Sequence, residues 1–298
     1  MSLPPDRSHV LTEQRNPRSM RLHEMSVPQI VQLIVAEDRA VFGAMEAAAP
    51  AIAVLIEAAE PGFCAGGRLI YLGAGTSGRL GVLDASEAPP TFQVPPDRII
   101  GLIAGGDAAL RKSSEGAEDD PTGAHAALDD LSLTHRDTVI GIAAGGTTPY
   151  VLGGLEHVRG PVRGLIVCSP VVRPACVDHL IVLETGPEVL TGSTRMKAGT
   201  ATKLALNTIS TTLMVRSGRV YENLMVDLRA TNQKLRDRAA RIVAELTGLV
   251  REESFALLER AGGAVKTAVV MHRLGIAREQ AEQRLKAAGG RLDQALVF

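Results

Sequence analysis

The sequence contains no tryptophan, and aromatic residues make up only 3% of its 298 residues. Its three cysteines, Cys64, Cys168 and Cys176, show neither CxxC nor Cys/His ligand spacing, which indicates buried or free thiols in a reducing compartment. The seven histidines are scattered, without an HExxH or a paired spacing. We therefore predict that the protein has no metal site.

The sequence also lacks an excess of positive or negative charge, and it lacks long apolar runs. The formal net charge is −1, which gives no electrostatic reason to expect a nucleic-acid or membrane partner. The N-terminus lacks the apolar region of a signal peptide, and no stretch approaches the roughly 18 apolar residues of a membrane span. We expect a soluble, cytoplasmic protein in which local groups must hold any anionic ligand.

Apolar residues are plentiful at 45% of the chain, enough for a sizeable core. Short apolar runs, each the length of a buried strand, alternate with helical patterns. That order predicts right-handed βαβ units and a mainly parallel sheet, with ligands at the carboxyl ends of the strands. The runs are Leu69–Leu72, Ile99–Ala104, Val139–Ala143, Leu165–Cys168 and Leu180–Leu183.

The rest of the chain divides by pattern. A helical pattern begins at Ser26, is interrupted by Pro50 and continues to about Glu60. Further helices are predicted at 200–217 and 224–246, and short amphipathic segments follow. We predict three parts: an N-terminal arm at 1–25, an α/β domain at 26–245 and a small helical subdomain at 246–298.

A glycine-rich loop, Gly73–Arg79, directly follows the first run. Its glycines allow close backbone approach, the next helix offers free N–H groups, and hydroxyls add neutral donors. We predict a phosphate-binding loop with contacts from Gly75, Thr76, Ser77 and Arg79. The loop also fits GxGxxG, but the acidic residue that a dinucleotide site requires is missing, since Asp107 comes too late. A purely structural glycine turn is the other alternative.

A second loop, Ala144–Tyr150, has the same design after the third run. We predict ligand contacts from Gly146, Thr147 and Thr148, although an ordinary helix cap at Thr148 is an alternative. Two such loops on one sheet edge suit a monosaccharide phosphate better than a dinucleotide.

A third polar stretch lies at 186–203, in an otherwise apolar region. Its hydroxyls and cations could reach a phosphate or a sugar, or they could form a solvated loop and helix face. The candidates are Glu188, Ser193, Thr194, Arg195 and Lys197. Two further carboxylates, Glu87 and Glu118, follow the first loop and the second strand. Taken alone, each is typical of a surface acid.

Five strings, in order, resemble the bacterial N-acetylmuramic acid 6-phosphate etherase family, and the fourth is also similar to a signature of glucokinase regulatory protein. The resemblance implies an α/β fold, namely a SIS-like three-layer sandwich with a mainly parallel sheet plus a small C-terminal helical subdomain. It also implies a homodimer that uses no metal or nucleotide cofactor. The strings are YLGAGTSGRLGVLDASEAPPTF (71–92), GLIAGG…EGAEDD (101–120), GIAAGGTTPYV (141–151), GPEVLTGSTRMKAGTATK (186–203) and NLMVDLRATNQKL (223–235).

The family's catalytic glutamates carry over to Glu87, as the acid at lactate, and Glu118, as the base at C2. The implied reaction cleaves the lactyl ether of N-acetylmuramic acid 6-phosphate. Two alternatives stay open: a non-enzymatic sugar-phosphate regulator and an aldose–ketose isomerase.

The second loop departs from the family, which commonly reads AASGRTPY. Here Gly145 and Thr147 stand at the Ser and Arg positions, so the loop lacks that cation and one hydroxyl. Ala88 also replaces a frequent Cys after Glu87, which argues against a role for a thiol.

Overall fold

A computed structural model describes residues 6–112, 115–228 and 233–297, without the side chain of Glu115. The chain forms two compact units. The first contains the residues up to Ser86 together with Pro96–Ser210, and the second contains Glu87–Pro95 and the chain from Thr211 onward. Residues 211–245, which the prediction placed in the α/β domain, are thus grouped with the C-terminal helices.

The first unit is built on the five strands that the apolar runs predicted. They form one sheet in the order β2-β1-β3-β4-β5, with every neighbouring pair parallel. All residues of β1 and β3 are buried, as expected for strands covered on both faces. The predicted parallel sheet is confirmed. The strands are β1 (Leu69–Gly73), β2 (Ile99–Ile103), β3 (Thr138–Ile142), β4 (Val162–Val167) and β5 (His179–Val182).

Helices cover the two faces of this sheet. The helices of this part of the chain are α1 (Val27–Glu37), α2 (Ala40–Cys64), α3 (Gly75–Phe92), α4 (His125–Asp130), α5 (Pro149–His157) and α6 (Lys197–Arg216). Leu155 of α5 shares a buried cluster with Leu165 of β4. Leu55 of α2 instead lies against Gly164, where an added Cβ would be 3.2 Å from its Cδ1. Because successive strand residues face opposite sides, α2 and α5 cover opposite faces, which confirms the three layers.

Helix α2 runs through Pro50, so the predicted interruption there is wrong. Pro50 is exposed, and water can satisfy the carbonyl that loses its N–H donor. The expectation that no segment is apolar and long enough to span a membrane is also wrong, since Val27–Cys64 passes by length and composition. Within it, Leu55 and Phe63 are fully buried, and α2 packs on β3, β4 and β5. A core helix of a globular unit passes the same test.

The described part of the predicted arm, residues 6–25, is built into the first unit, while residues 1–5 lie outside the described residues. The Leu11 N–H donates to Ser169 Oγ (3.0 Å), and the Gly192 N–H donates to the Thr12 carbonyl (3.2 Å). Asn16 is buried and donates to Glu37 Oε2 (2.7 Å). Buried polar groups with partners anchor a segment whose polar, proline-rich composition predicted no core role.

The second unit contains short antiparallel strands and a helical cluster. Its strands β6 (Val220–Tyr221) and β7 (Leu224–Met225) pair across a turn in which Glu222 has φ 52°. The helix predicted from 224 is therefore wrong at its start, and residues 229–232 lie outside the described residues. Arg219 and Lys266 both contact the Asp227 carboxylate (2.8 and 2.7 Å), which secures the hairpin. The helices are α7 (Gln233–Thr247), α8 (Arg251–Arg260), α9 (Val265–Leu274), α10 (Arg278–Ala287) and α11 (Leu292–Leu296).

Candidate active site

A cavity of about 200 Å³ lies in the first unit where the two glycine-rich loops come together. The loops follow β1 and β3, which are neighbours in the sheet, while β2 and β4 lie on their outer sides. The connections after β1 and β3 therefore lead in opposite directions. Such a switch point opens a crevice beyond the carboxyl ends of the strands, where α/β proteins bind ligands.

The first loop turns sharply from β1 into α3. Gly75 begins the helix with φ +53°, which L side chains rarely adopt. A Cβ on Gly78 would lie 2.6 Å from Ile103 Cγ1 and 2.7 Å from the Gly73 carbonyl oxygen, so only glycine allows this contact of helix and strand. The first N–H groups of α3 have no intrahelical acceptor, and the Thr76 and Ser77 side chains line the cavity beside them. This arrangement can bind an anion.

Glu118 lines the same cavity, next to residues of the second loop. Thr147 and Thr148 line it just before α5, and the Tyr150 N–H donates to the Glu118 carbonyl (3.0 Å). A Cβ on Gly153 would lie 2.0 Å from the Pro121 carbonyl oxygen, so the segment after Glu118 packs tightly on α5. Spacing in the sequence could not show this meeting.

The N-terminal segment forms a further wall that the sequence analysis missed. Arg7, Val10, Thr12 and Glu13 all line the cavity, close to Thr194 of the third stretch. The polar composition of residues 1–25 gave no local signal for them, and nothing distinguished Arg7 from a solvated arginine. The sequence analysis thus named residues of the two loops that line the cavity, but none of the N-terminal residues that line it.

The predicted site residues fall into two groups. Seven line the cavity: Gly75, Thr76, Ser77, Glu118, Thr147, Thr148 and Thr194. Of the described residues, seven others on the predicted list are not in its lining: Arg79, Glu87, Gly146, Glu188, Ser193, Arg195 and Lys197. Glu87 is an exposed residue of α3 and belongs to the second compact unit.

Glu188 caps helix α6. Its carboxylate is fully buried and accepts the N–H groups of Lys197 (3.1 Å) and Ala198 (2.9 Å). A carboxylate at this position also opposes the positive end of the helix dipole. Burial raises the pKa of Glu188, and the two backbone donors offset that rise only in part. The side chain therefore fixes the start of α6 within the third stretch.

Lys197 is engaged by a carboxylate from α1. Its ammonium, 3% exposed, donates to Glu37 Oε2 at 2.8 Å, and Arg18 contacts the other oxygen at 2.7 Å. Burial alone would raise the pKa of Glu37, but the hydrogen bonds from Lys197 and Asn16 hold it below its usual value. The cluster ties the N-terminal segment, α1 and α6 together.

Arg79 is likewise committed to the protein. Its guanidinium donates to the carbonyls of Ala109 (2.8 Å) and Leu110 (3.2 Å), and so fixes the chain beyond β2. Arg195 is exposed and lies outside the cavity lining. None of the predicted cations therefore faces the cavity.

A polar contact joins β1 and α3, the two elements that flank the first loop, to α6. Tyr71 of β1 donates to Asp84 of α3 (2.8 Å), and Ser210 of α6 donates to the other Asp84 oxygen (3.1 Å). Burial raises the pKa of Asp84. Burial, and next the Asp84 charge, raises the pKa of Tyr71 well above its usual value. One strand and two helices that frame the cavity are thus joined.

Thiol and metal chemistry find little support in the described residues. No group of three His, Cys, Asp or Glu there could hold a metal ion. Burial raises the pKa of Cys168 to about 12, so its thiol stays protonated and is a poor nucleophile.

Comparisons with known proteins agree with this architecture. The profile described as glucokinase regulatory protein N-terminal SIS domain matches residues 48–159. Proteins named N-acetylmuramic acid 6-phosphate etherase match over most of their length. The Gloeobacter violaceus protein is 54% identical over 90% of this chain and 89% of its own. The Synechococcus sp. CC9605 protein is 52% identical over 91% and 86%, and the Serratia proteamaculans protein 53% over 88% and 89%. Similarity at this level and extent means that the chain belongs to the N-acetylmuramic acid 6-phosphate etherase family.

Proposed function

We propose that the protein is a lyase that converts N-acetylmuramic acid 6-phosphate to N-acetylglucosamine 6-phosphate and D-lactate in the recycling of cell-wall amino sugars. The observation that carries this proposal is the identity of 50% or more with etherases along about 90% of the chain. The cavity supports it, because hydroxyl-rich loops after β1 and β3 meet Glu118 there.

An unactivated ether resists cleavage because alkoxide is a poor leaving group, and the open-chain sugar avoids this problem. Its C1 aldehyde makes the C2 proton acidic, and the lactyl ether at C3 lies β to the carbonyl. A base removes the C2 proton, an acid protonates the departing lactate oxygen, and a C2–C3 alkene forms. Water then adds at C3. Overall, the C3–O bond to lactate breaks and a C3–OH bond forms, with no redox change.

This reaction requires two carboxyl groups in opposite protonation states. We assign Glu118 as the base at C2, which its place in the cavity lining supports. We assign Glu87 as the acid at the lactyl oxygen, and here the support is its place in the family string SEAPP. No metal or nucleotide cofactor takes part in this scheme.

The substrate phosphate is proposed to bind at the cavity, on the N–H groups at the start of α3 and on nearby hydroxyls. The phosphate then anchors the sugar, so that binding energy far from C2 fixes the reacting atoms. The hydroxyls are those of Thr76, Ser77, Thr147, Thr148 and Thr194. Glu188, Lys197 and Arg79 act indirectly in this proposal, because each is engaged in fixing an element that frames the cavity.

We further propose that the protein is a cytoplasmic homodimer that binds no nucleic acid and no membrane. An apolar stripe on α1 and α2 is 54–75% exposed at Val27, Val31, Val35 and Phe42, as surfaces that meet a partner often are. Two copies packed antiparallel about residues 42–43 would bring Arg39 of one opposite Glu46 of the other. The oligomeric state measured by analytical ultracentrifugation, with Phe42→Glu as the monomeric variant, tests this.

The decisive experiment measures lactate release by the purified protein from N-acetylmuramic acid 6-phosphate. We expect turnover with N-acetylglucosamine 6-phosphate as the second product, and at least about 10²-fold lower efficiency on unphosphorylated N-acetylmuramic acid. Binding without turnover would favour a regulator, and a ketose product would favour an isomerase. Either result, or equal use of both substrates, would refute the proposal.

A further inference from the structure

The cavity has an unbalanced charge for a site that receives a phosphate. Among its described lining residues Arg7 is the single cation, against the carboxylates of Glu13, Glu118 and Asp119. Hydroxyls and helix N–H groups provide hydrogen bonds but no full positive charge. A phosphate dianion beside the Glu13 and Asp119 carboxylates already needs a cation to offset their repulsion.

Two other cations near the loops are engaged by the protein, and a third, Arg195, is exposed outside the cavity lining. Arg79 donates to two backbone carbonyls, and Lys197 is paired with Glu37. Arg7 differs from both. It is exposed, and no ion pair joins its guanidinium to another residue in the described part of the chain. Its charge is therefore available to a ligand.

The position of Arg7 is fixed although its side chain is exposed. The Val10 N–H donates to the Arg7 carbonyl (2.9 Å), and Val10 itself is buried. Directly after it, Leu11 is bonded to Ser169 and Thr12 to Gly192. The backbone that carries Arg7 thus starts from a well-anchored turn at the rim of the cavity.

Thr12 provides an independent sign of a ligand. The residue is 99% buried, with a relative exposure of 1%, and it lines the cavity. Its Oγ1 is buried without a hydrogen-bond partner among the described residues. Such an unsatisfied hydroxyl is unusual in a folded protein, and an oxygen of a bound ligand would satisfy it.

The N-terminal segment contacts the second loop at Gly145. A Cβ on Gly145 would lie 3.5 Å from Val10 Cγ1 and 3.8 Å from Thr12 Oγ1. Thr147, which also lines the cavity, is the next exposed residue of the loop. The second loop has no Lys or Arg of its own, and Arg7 lies on the segment packed against that loop.

We propose that Arg7, together with the Thr12 hydroxyl, binds the phosphate group of the substrate, so that the N-terminal segment completes the site. This inference rests on the proposed function. It assigns to Arg7 the positive charge that the two loops do not bring to the cavity.

Calorimetric binding of N-acetylglucosamine 6-phosphate tests the proposal. This product keeps the phosphate but has no lactyl carboxylate, so it isolates the contact in question. We expect Arg7→Ala to raise its Kd by about 10- to 100-fold, as expected for the loss of a hydrogen-bonded charge. Arg7→Lys should give a smaller rise, and Thr12→Val a rise of several fold. Arg21→Ala is the matched control, since Arg21 is an exposed cation of the same segment outside the cavity lining.

A double variant distinguishes loss of the Arg7 charge from damage to the fold. Thr147 is exposed, which leaves room for a longer side chain, and Arg7→Ala/Thr147→Arg should recover most of the lost affinity. An unchanged Kd in Arg7→Ala would overturn the proposal. So would a raised KM for substrate without weaker product binding, because Arg7 would then contact the lactyl carboxylate. Absence of lactate release by the unmodified protein would refute the proposed function, whereas product binding still tests Arg7.

Discussion

Replacing Glu188 tests whether this buried acid of the third stretch binds substrate or supports the fold. Replacing it by alanine removes a carboxylate that accepts two backbone N–H groups at 2.9 and 3.1 Å. Each hydrogen bond to a charged group contributes roughly 1.5–3 kcal/mol. The raised pKa of Glu188 shows that burial of its charge opposes part of this gain. We expect Glu188→Ala to lower the free energy of unfolding by about 2–4 kcal/mol.

For a chain of this size that loss corresponds to a fall in Tm of roughly 5–15 °C. Glu188→Gln should lose about half as much, because its amide oxygen still accepts one N–H while its NH₂ group faces the other. Glu184→Ala is the control: Glu184 is exposed just before this stretch, and its loss should change stability by less than about 0.5 kcal/mol. Denaturant unfolding and KM are measured on all three variants.

The reasoning also fixes how the kinetics must behave. If Glu188 acts through α6, the folded Glu188→Gln protein should keep KM within about threefold of the unmodified protein. A tenfold rise in KM with an unchanged free energy of unfolding would mean that Glu188 contacts the substrate, and the assignment as a helix cap would fail.

Three further predictions follow from the site and the fold. Glu118→Gln should lose both lactate release and solvent exchange at C2 of the product by about 10²–10⁴-fold, whereas Glu87→Gln should lose lactate release but keep exchange; NMR with a lactate assay decides, and the opposite pattern reverses the roles. Asp137, nearly fully buried and bonded to Arg68, has its pKa held below the usual 3.8 by Arg68 and backbone N–H groups despite burial. The ionised Asp137 therefore stabilises the fold above pH 3.8, and this stabilisation is lost as the pH falls through the lowered pKa. Asp137→Asn should lower the free energy of unfolding by about 3 kcal/mol at pH 7, and the variant should lose less stability on acidification than the unmodified protein. Equal acid dependence of the two proteins in unfolding experiments would contradict this. Chelators should leave lactate release unchanged, and a loss that one divalent metal restores would refute the scheme.

The strands of the fold could be predicted because each is a short, fully apolar run between helical patterns. The local sequence pattern was less reliable where the surrounding structure decides whether a segment forms a helix or a strand. Helix α2 continues through Pro50 because this position is exposed. Water can therefore bind the carbonyl that lacks an N–H donor from Pro50. The hairpin at 220–225 was missed, since two-residue strands carry too little periodicity to distinguish them from a helix.

Residue type and loop position identified glycines and hydroxyls that line the cavity, but they could not show which contacts the charged residues make. Lys197 and Glu188 have the residue types of ligand contacts, yet their partners are Glu37 and a helix end. These partners are distant in sequence or belong to the backbone, and no spacing rule shows them. Arg7 was overlooked for the converse reason, because a lone arginine in a polar terminus is typical of a solvated surface.

The contact between Tyr71 and Asp84 has a spectroscopic consequence. Without tryptophan, the intrinsic ultraviolet emission of the protein comes from its three tyrosines. A phenol that donates to a carboxylate transfers its proton readily on excitation, which quenches its fluorescence. Tyr71 should therefore be dark in the folded protein and bright after unfolding. Because its pKa is raised, its ultraviolet absorbance should also resist alkaline titration until the fold opens. The core of the first unit thus contains its own optical reporter of integrity.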